Sequence, residues 1–242
     1  MSNVWTIYRR EIASYFISPI AYIFICAFLV VMGVYFFLFN GFFQQPMPDL
    51  RAYFGAFPLA FSLLIPAVTM RLWSEEKKAG TMEILMTLPI KSWEVVLGKF
   101  LAGYTIILVT LLLTLAVPLS VSFVVPLDWG VIFASYLGAL LLAGVYIAVG
   151  AWISAVTENQ IVALLVAMVF LFLLWGIGIP PVTQVVNGVI GGLGSKLQWF
   201  GTFYHYQNFS KGLLKLVDLV YSLSMMAFFL ILNNFAVEWR KY

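Results

Sequence analysis

Six stretches of this chain run for 19 residues or more without a charged side chain: 12–48, 52–70, 100–127, 129–157, 159–195 and 219–237. A bilayer's hydrocarbon core is about 30 Å thick and takes about 20 apolar residues as a helix, so each interval has room for one crossing. In lipid every backbone N–H and C=O must be paired within a helix or a closed barrel. Barrel strands alternate polar and apolar residues over about 10 positions, whereas these runs are apolar on every face. The reading is an all-α integral membrane protein with six transmembrane helices, near 18–40, 53–72, 98–123, 131–156, 160–180 and 216–236. Composition agrees: 63% of residues are hydrophobic and 10% charged, against about 25% charged in soluble domains.

The first apolar run is too long for a signal-peptide core and lacks a small-residue cleavage site, so it reads as a retained span with the mature chain starting near Met1. Lys and Arg concentrate on the cytoplasmic side of membrane proteins. With the N-terminus inside, Arg9, Arg10, Arg71, Lys77, Lys78, Lys91, Lys99, Arg240 and Lys241 fall inside, and Arg51, Lys196, Lys211 and Lys215 outside. Both termini are therefore expected in the cytoplasm of a multi-pass protein, and the net charge of +3 is a topology signal rather than a sign of nucleic-acid binding. The single cysteine, Cys26, excludes a disulfide framework and a cysteine-based metal site.

Residues 1–17 place Val4, Trp5, Tyr8, Ile12, Tyr15 and Phe16 at helical spacing, with Thr6, Arg10 and Ser14 elsewhere. This segment is expected to lie along the inner membrane surface, with Trp5 and Tyr8 at headgroup level and Arg9 and Arg10 facing anionic lipid.

Nine of the chain's charged residues fall within 71–100, between the second and third spans. Ser74 is placed to cap a short helix whose first turn carries Glu75 and Glu76, the sign the helix dipole favours. Pro89 ends it, and a second start at Ser92 leads through Lys99 into the third span. Met82, Leu85 and Met86 lie on one side of this helix with Ile84 and Leu88 beside them, too apolar for a free loop. It needs a partner surface: membrane, its own bundle, or a second cytoplasmic protein.

Other features are bland. The loops between spans three and four, and four and five, are short. Ala139, Ala143, Gly144, Ala148, Ala151 and Ala155 in span four permit close helix contact. The extracytoplasmic segment 182–215 holds Gly188, Gly191, Gly192 and Gly194, but no strand precedes them and the spacing misses a phosphate-loop fingerprint. Its Trp199, Phe200, Phe203, Tyr204 and Tyr206 suit a short re-entrant or surface helix. His205, without a second histidine or a neighbouring carboxylate cluster in the sequence, reads as interfacial rather than as a metal ligand or base. No GxxxxGK[ST], HExxH or GxSxG is present, so no catalytic, cofactor or metal residue is assigned and the chain is not read as an enzyme. No ionisable residue sits at mid-span, which disfavours an ion-coupled carrier; Asp218 lies near the outer end of span six.

The stretch "EEKKAGTMEILMTLPIKSWEVVLGKFLAG" resembles the segment between the second and third spans of ABC-2 type transporter permeases. There an acidic pair, a Gly-Thr-x-Glu step, a Leu-Pro break and a Gly-Lys re-entry recur. "YHYQNFSKGLLKLVDLVYSLSMMAFFLILNN" resembles the gliding-motility-associated branch of these permeases at Phe209, Gly212, Asp218 and Tyr221, although "LLKL" stands where that branch has an Ile-Asp type step. The likeness implies a single six-span domain over 1–242, with residues 1–17 as connecting helix and 75–90 as coupling helix. Carried over to this chain, the ATPase-docking residues are Glu75, Glu76, Lys77, Lys78, Gly80, Thr81, Met82, Glu83, Leu85, Met86, Leu88 and Pro89, with Gly98 and Lys99 at the re-entry.

What the resemblance implies is a permease subunit of an ABC exporter in the cell inner membrane. Its expected partners are an ABC ATPase subunit, which holds ATP and Mg that this chain does not, a second permease subunit in a homodimer or heterodimer, an accessory membrane protein and the bilayer itself. An ATPase-binding scaffold or mechanical adaptor that moves no substrate would use the same docking helix and is the alternative.

Overall fold

A computed structural model describes residues 3–39, 49–82 and 90–239. Among them there is no strand, and six helices are long and apolar enough to cross a membrane: Ile20–Phe39, Phe57–Lys78, Ser92–Ser122, Trp129–Val156, Gln160–Ile177 and Leu216–Glu238, here spans 1 to 6. A short helix, α1 (Asn3–Ile17), precedes span 1. The far end carries α3 (Arg51–Gly55) before span 2 and three helices between spans 5 and 6: α10 (Pro180–Val189), α11 (Leu193–Gln198) and α12 (Thr202–Ser210).

Span 2 lies further along the chain than its charge-free interval suggests. Its helix runs on through Arg71, Glu75, Glu76 and Lys77 to Lys78. Ser74 therefore does not cap a new helix: it sits inside α5 (Arg71–Lys78), and its hydroxyl donates back to Met70 O one turn earlier. The helix continues because its charges meet partners on neighbouring elements, described below. Span 3 starts at Ser92, as the sequence suggests, and Glu94 Oε2 accepts the Lys91 backbone N–H at 3.1 Å to satisfy its open first turn. Asp128 opens span 4 by accepting from Gly130 N at 2.9 Å, and Asn159 opens span 5 by accepting from Ile161 N at 2.8 Å.

Burial ranks the spans. In spans 2 and 4, 67% of the most apolar stretch is buried, against 22%, 17% and 22% in spans 1, 5 and 6. Spans 2 and 4 are thus the centre and the others wrap them. Small residues make this closeness possible: Ala139, Ala143, Ala148, Ala151 and Ala155 are each 0–1% exposed. A Cβ on Gly150 would collide with Thr69 Oγ1 of span 2, and one on Gly144 would collide with Met226 of span 6. The two contacts differ in kind, since Met226 meets Gly144 with a flexible methyl end while Thr69 is β-branched and fixed.

Towards the far end an aromatic cluster replaces the small residues. Phe28 stacks on Phe61 at 5.2 Å, Phe36 meets Tyr53 at 5.2 Å, and Phe54 meets Tyr136 edge-on at 5.2 Å, joining spans 1, 2 and 4 to α3. Helix α12 packs into this end of the bundle: Tyr206 donates to Phe54 O at 3.0 Å, Tyr146 of span 4 shares a 2.8 Å hydrogen bond with Thr202, and Phe209 fills the space beside Gly138. Trp199 and Phe200 stay 54% and 64% exposed, so buried plug and exposed aromatic surface coexist in one segment.

Candidate functional site

Helix α1 reaches the bundle through one face. Asn3, Ile7, Glu11 and Ser14 recur at three- and four-residue steps and so share a side of the helix. Asn3 Nδ2 donates to Glu94 Oε2 at 2.9 Å, and Ile7, 8% exposed, packs where span 3 has Gly98. Glu11 Oε1 lies 3.0 Å from Lys99 Nζ. Ser14 and, just past the helix, Ser18 accept from the two terminal nitrogens of Arg71 at 2.9 and 2.8 Å. Tyr15 donates to Val68 O at 2.7 Å and lies under the Arg71 guanidinium at 5.2 Å. Burial, reinforced by the Glu11 charge, pushes its phenol well above the usual tyrosine range, so it acts as a permanent donor.

Two charged nodes result. At the first, Arg71 holds α1 to span 2 and also pairs with Glu75 one turn on, at 3.0 Å. At the second, Lys99 of span 3, whose side chain is 2% exposed, lies 3.0 Å from both Glu11 Oε1 and Glu76 Oε1 and 5.1 Å above the Trp73 ring. Arg10 completes it from α1, its Nη2 2.8 Å from the same Glu76 oxygen. Two cations and two carboxylates balance; Arg10 stays 63% exposed, while Lys99, Glu11 and Glu76 are largely buried and need such pairing to be tolerated there. Glu76 Oε2 and Trp73 Nε1 are buried beside them without a protein hydrogen bond.

The residues assigned to docking therefore divide. Glu76 points inward into the Lys99 node. Lys77 Nζ donates to Ala155 O and to Thr157 O at 3.1 Å, filling the carbonyls that end span 4. Glu75 is half exposed beside Arg71, and Lys78 is exposed. Gly80 adopts φ +68°, the left-handed conformation that ends helices and favours glycine, and its N–H donates to Lys77 O at 3.1 Å. Thr81 is exposed and donates to Glu76 O at 3.3 Å, while Met82 is buried at 7% exposure. Glu83, Leu85, Met86, Leu88 and Pro89 lie outside the described residues.

On α1, Trp5 is 51% exposed and stacks on Tyr8 at 5.1 Å, and Tyr8 shares a 3.1 Å hydrogen bond with Thr105 of span 3. Trp5, Arg9 and Arg10 line an open surface depression with Thr6 and Ala13. Arg10 and Ser14, which the helical wheel set apart from the apolar stripe, both make contacts with span 2 instead.

A second buried polar cluster ties α12 to span 6. His205 Nδ1 lies 2.6 Å from Asp218 Oδ1, Asn208 Nδ2 donates to Asp218 Oδ2 at 2.8 Å, and Tyr221 stacks on the imidazole at 3.8 Å. His205 Nε2 faces Trp199 O at 2.9 Å, and because a carbonyl only accepts, that nitrogen carries a proton. His205 is thus 2% exposed and paired, not interfacial; the 13-residue separation and the intervening helix end hid the pairing. Among the described residues no group of His, Cys, Asp and Glu could hold a metal ion.

Six apolar crossings around a charge-neutral, buried joint define a multi-pass membrane protein. The family model described as ABC-2 family transporter protein matches residues 11–235. The chain belongs to the ABC-2 transporter family. No curated protein matches it at a significant level.

Proposed function

We propose that this chain is the permease subunit of an ABC exporter, and that residues 75–90 carry the motion of a separate ATPase subunit into the bundle. The observation that carries this reading is the Lys99 node. Through it the helix leading into the docking segment is fastened at Glu76 to α1 and to the first turns of span 3, so a push on that segment is delivered to three elements at once. Leu85 and Met86 supply apolar area for docking, at about 25 cal/mol per Å2 buried, and the flanking charges set register and association rate.

In this reading both termini and the charged end face the cytoplasm, ATP and Mg reside in the partner, and two permease subunits frame the pathway in the inner membrane. The likeness at Phe209, Gly212, Asp218 and Tyr221 supports a place in the gliding-motility-associated branch. Affinity co-purification of a co-expressed ATPase tests the docking role. The double variant Glu83→Lys with Leu85→Asp is expected to retain roughly a tenth or less of the ATPase that the wild type does, since reversing a charge and burying a carboxylate at a contact centre costs at least 1.4 kcal/mol. Undiminished co-purification refutes the assignment.

A further inference from the structure

Away from the charged joint, spans 3 and 4 diverge around an open cavity of about 400 Å3, a size within the roughly 300–1,000 Å3 of small-molecule sites. Leu108, Leu112 and Leu115 form one wall, and Trp129, Phe133 and Tyr136 the other. Its surroundings are apolar to the base, where the Tyr136 hydroxyl is occupied by Thr114 at 3.0 Å. Ile132 lines this cavity and also a smaller one, of about 110 Å3, that holds Asp49, Arg51 and Asp128. Trp129, at the mouth of the apolar groove, directly follows Asp128 in the chain. An apolar slot of acyl-chain character thus opens beside a charged recess at the level where span 4 begins, the arrangement of an amphiphile's tail and head.

The charges select among amphiphiles. Arg51 pairs with Asp49 at 3.4 Å, and both side chains remain more than half exposed. Asp128 uses Oδ1 to cap span 4. One cation and two carboxylates suit a headgroup that carries a phosphate and a protonated amine, the phosphate to Arg51 and the amine to the carboxylates. A headgroup with phosphate alone meets an excess of negative charge. A second protein copy in the groove would strip water from these exposed ions without replacing it, whereas a lipid headgroup leaves them solvated.

We propose that the groove between spans 3 and 4 binds one chain of a zwitterionic, amine-bearing phospholipid whose headgroup rests on Arg51 and Asp128. The inference needs only that these spans cross a bilayer and stands apart from the transport reading.

Native mass spectrometry of the full chain in mild detergent, offered equal phosphatidylethanolamine and phosphatidylglycerol, tests it. Wild type is expected to retain one phosphatidylethanolamine in preference to phosphatidylglycerol by roughly fivefold, the worth of about 1 kcal/mol from a partly exposed ion contact. Leu112→Trp, which fills the slot, should abolish retention of both. Asp128→Asn keeps the capping oxygen and removes the charge, so it should erase the preference while leaving binding; this arm decides the matter if Leu112→Trp does not fold. Equal retention of the two lipids by the wild type, retention undisturbed by Leu112→Trp, no retained lipid, or a dimer that Leu112→Trp dissociates would each overturn the proposal.

Discussion

Lys99→Met is expected to cost the folded protein about 3–5 kcal/mol, the usual penalty for removing one partner of a buried charge pair. The substitution nearly conserves volume, so the loss comes from electrostatics rather than from a cavity. It leaves the carboxylates of Glu11 and Glu76, 13% and 11% exposed, with Arg10 as their remaining close cation. Adding Glu11→Gln and Glu76→Gln to Lys99→Met removes the orphaned charges and should recover most of the loss, because neutral replacement of whole buried ion clusters is often tolerated. Thermal unfolding in detergent, compared across the wild type, the single and the triple variant, reads both effects. A triple variant no more stable than the single would mean that Lys99 matters for packing alone.

The far end yields the second large effect. Asp218→Ala removes the carboxylate that His205 Nδ1 and Asn208 Nδ2 share; His205 is buried and Asn208 part-buried, and the loss is expected to be about 3–5 kcal/mol as for other buried pairs. Asp218→Asn keeps an acceptor for only one of the two and should fall between. The damage should be local before it is global: amide hydrogen exchange over residues 199–210 is expected to accelerate in Asp218→Ala while the centre of span 4 keeps its protection. Unchanged exchange over 199–210 would show that α12 is held by Tyr206, Thr202 and Phe209 without the polar clasp.

These two clusters mark the border of what could be read from residues alone. Hydropathy is a one-dimensional quantity and the bilayer is a one-dimensional filter, so the six crossings and the small-residue face of span 4 were legible. The end of span 2 is not legible from its charge-free interval, because the helix runs on to Lys78. Arg71, Glu76 and Lys77 stay helical next to the bundle by finding Ser14, Lys99 and the carbonyls at the end of span 4, which lie 57, 23 and up to 80 residues away in the chain. Contacts of the same long range turn Glu76 and Lys77 toward their own fold and give His205 its carboxylate. The face by which α1 meets the bundle also has a signal in the sequence: Asn3, Glu11 and Ser14 follow Ile7's helical face, and a polar stripe of that kind at a membrane surface can mark a side turned toward buried charge.

For an ATPase to grip it, the charged end of the bundle must face the cytoplasm. In a Cys26→Ser background, Lys78→Cys places a single thiol at an exposed position on that end, and a membrane-impermeant maleimide reports which side it is on. A cytoplasmic charged end gives no labelling in intact cells and full labelling in inside-out vesicles. Labelling of intact cells would contradict it.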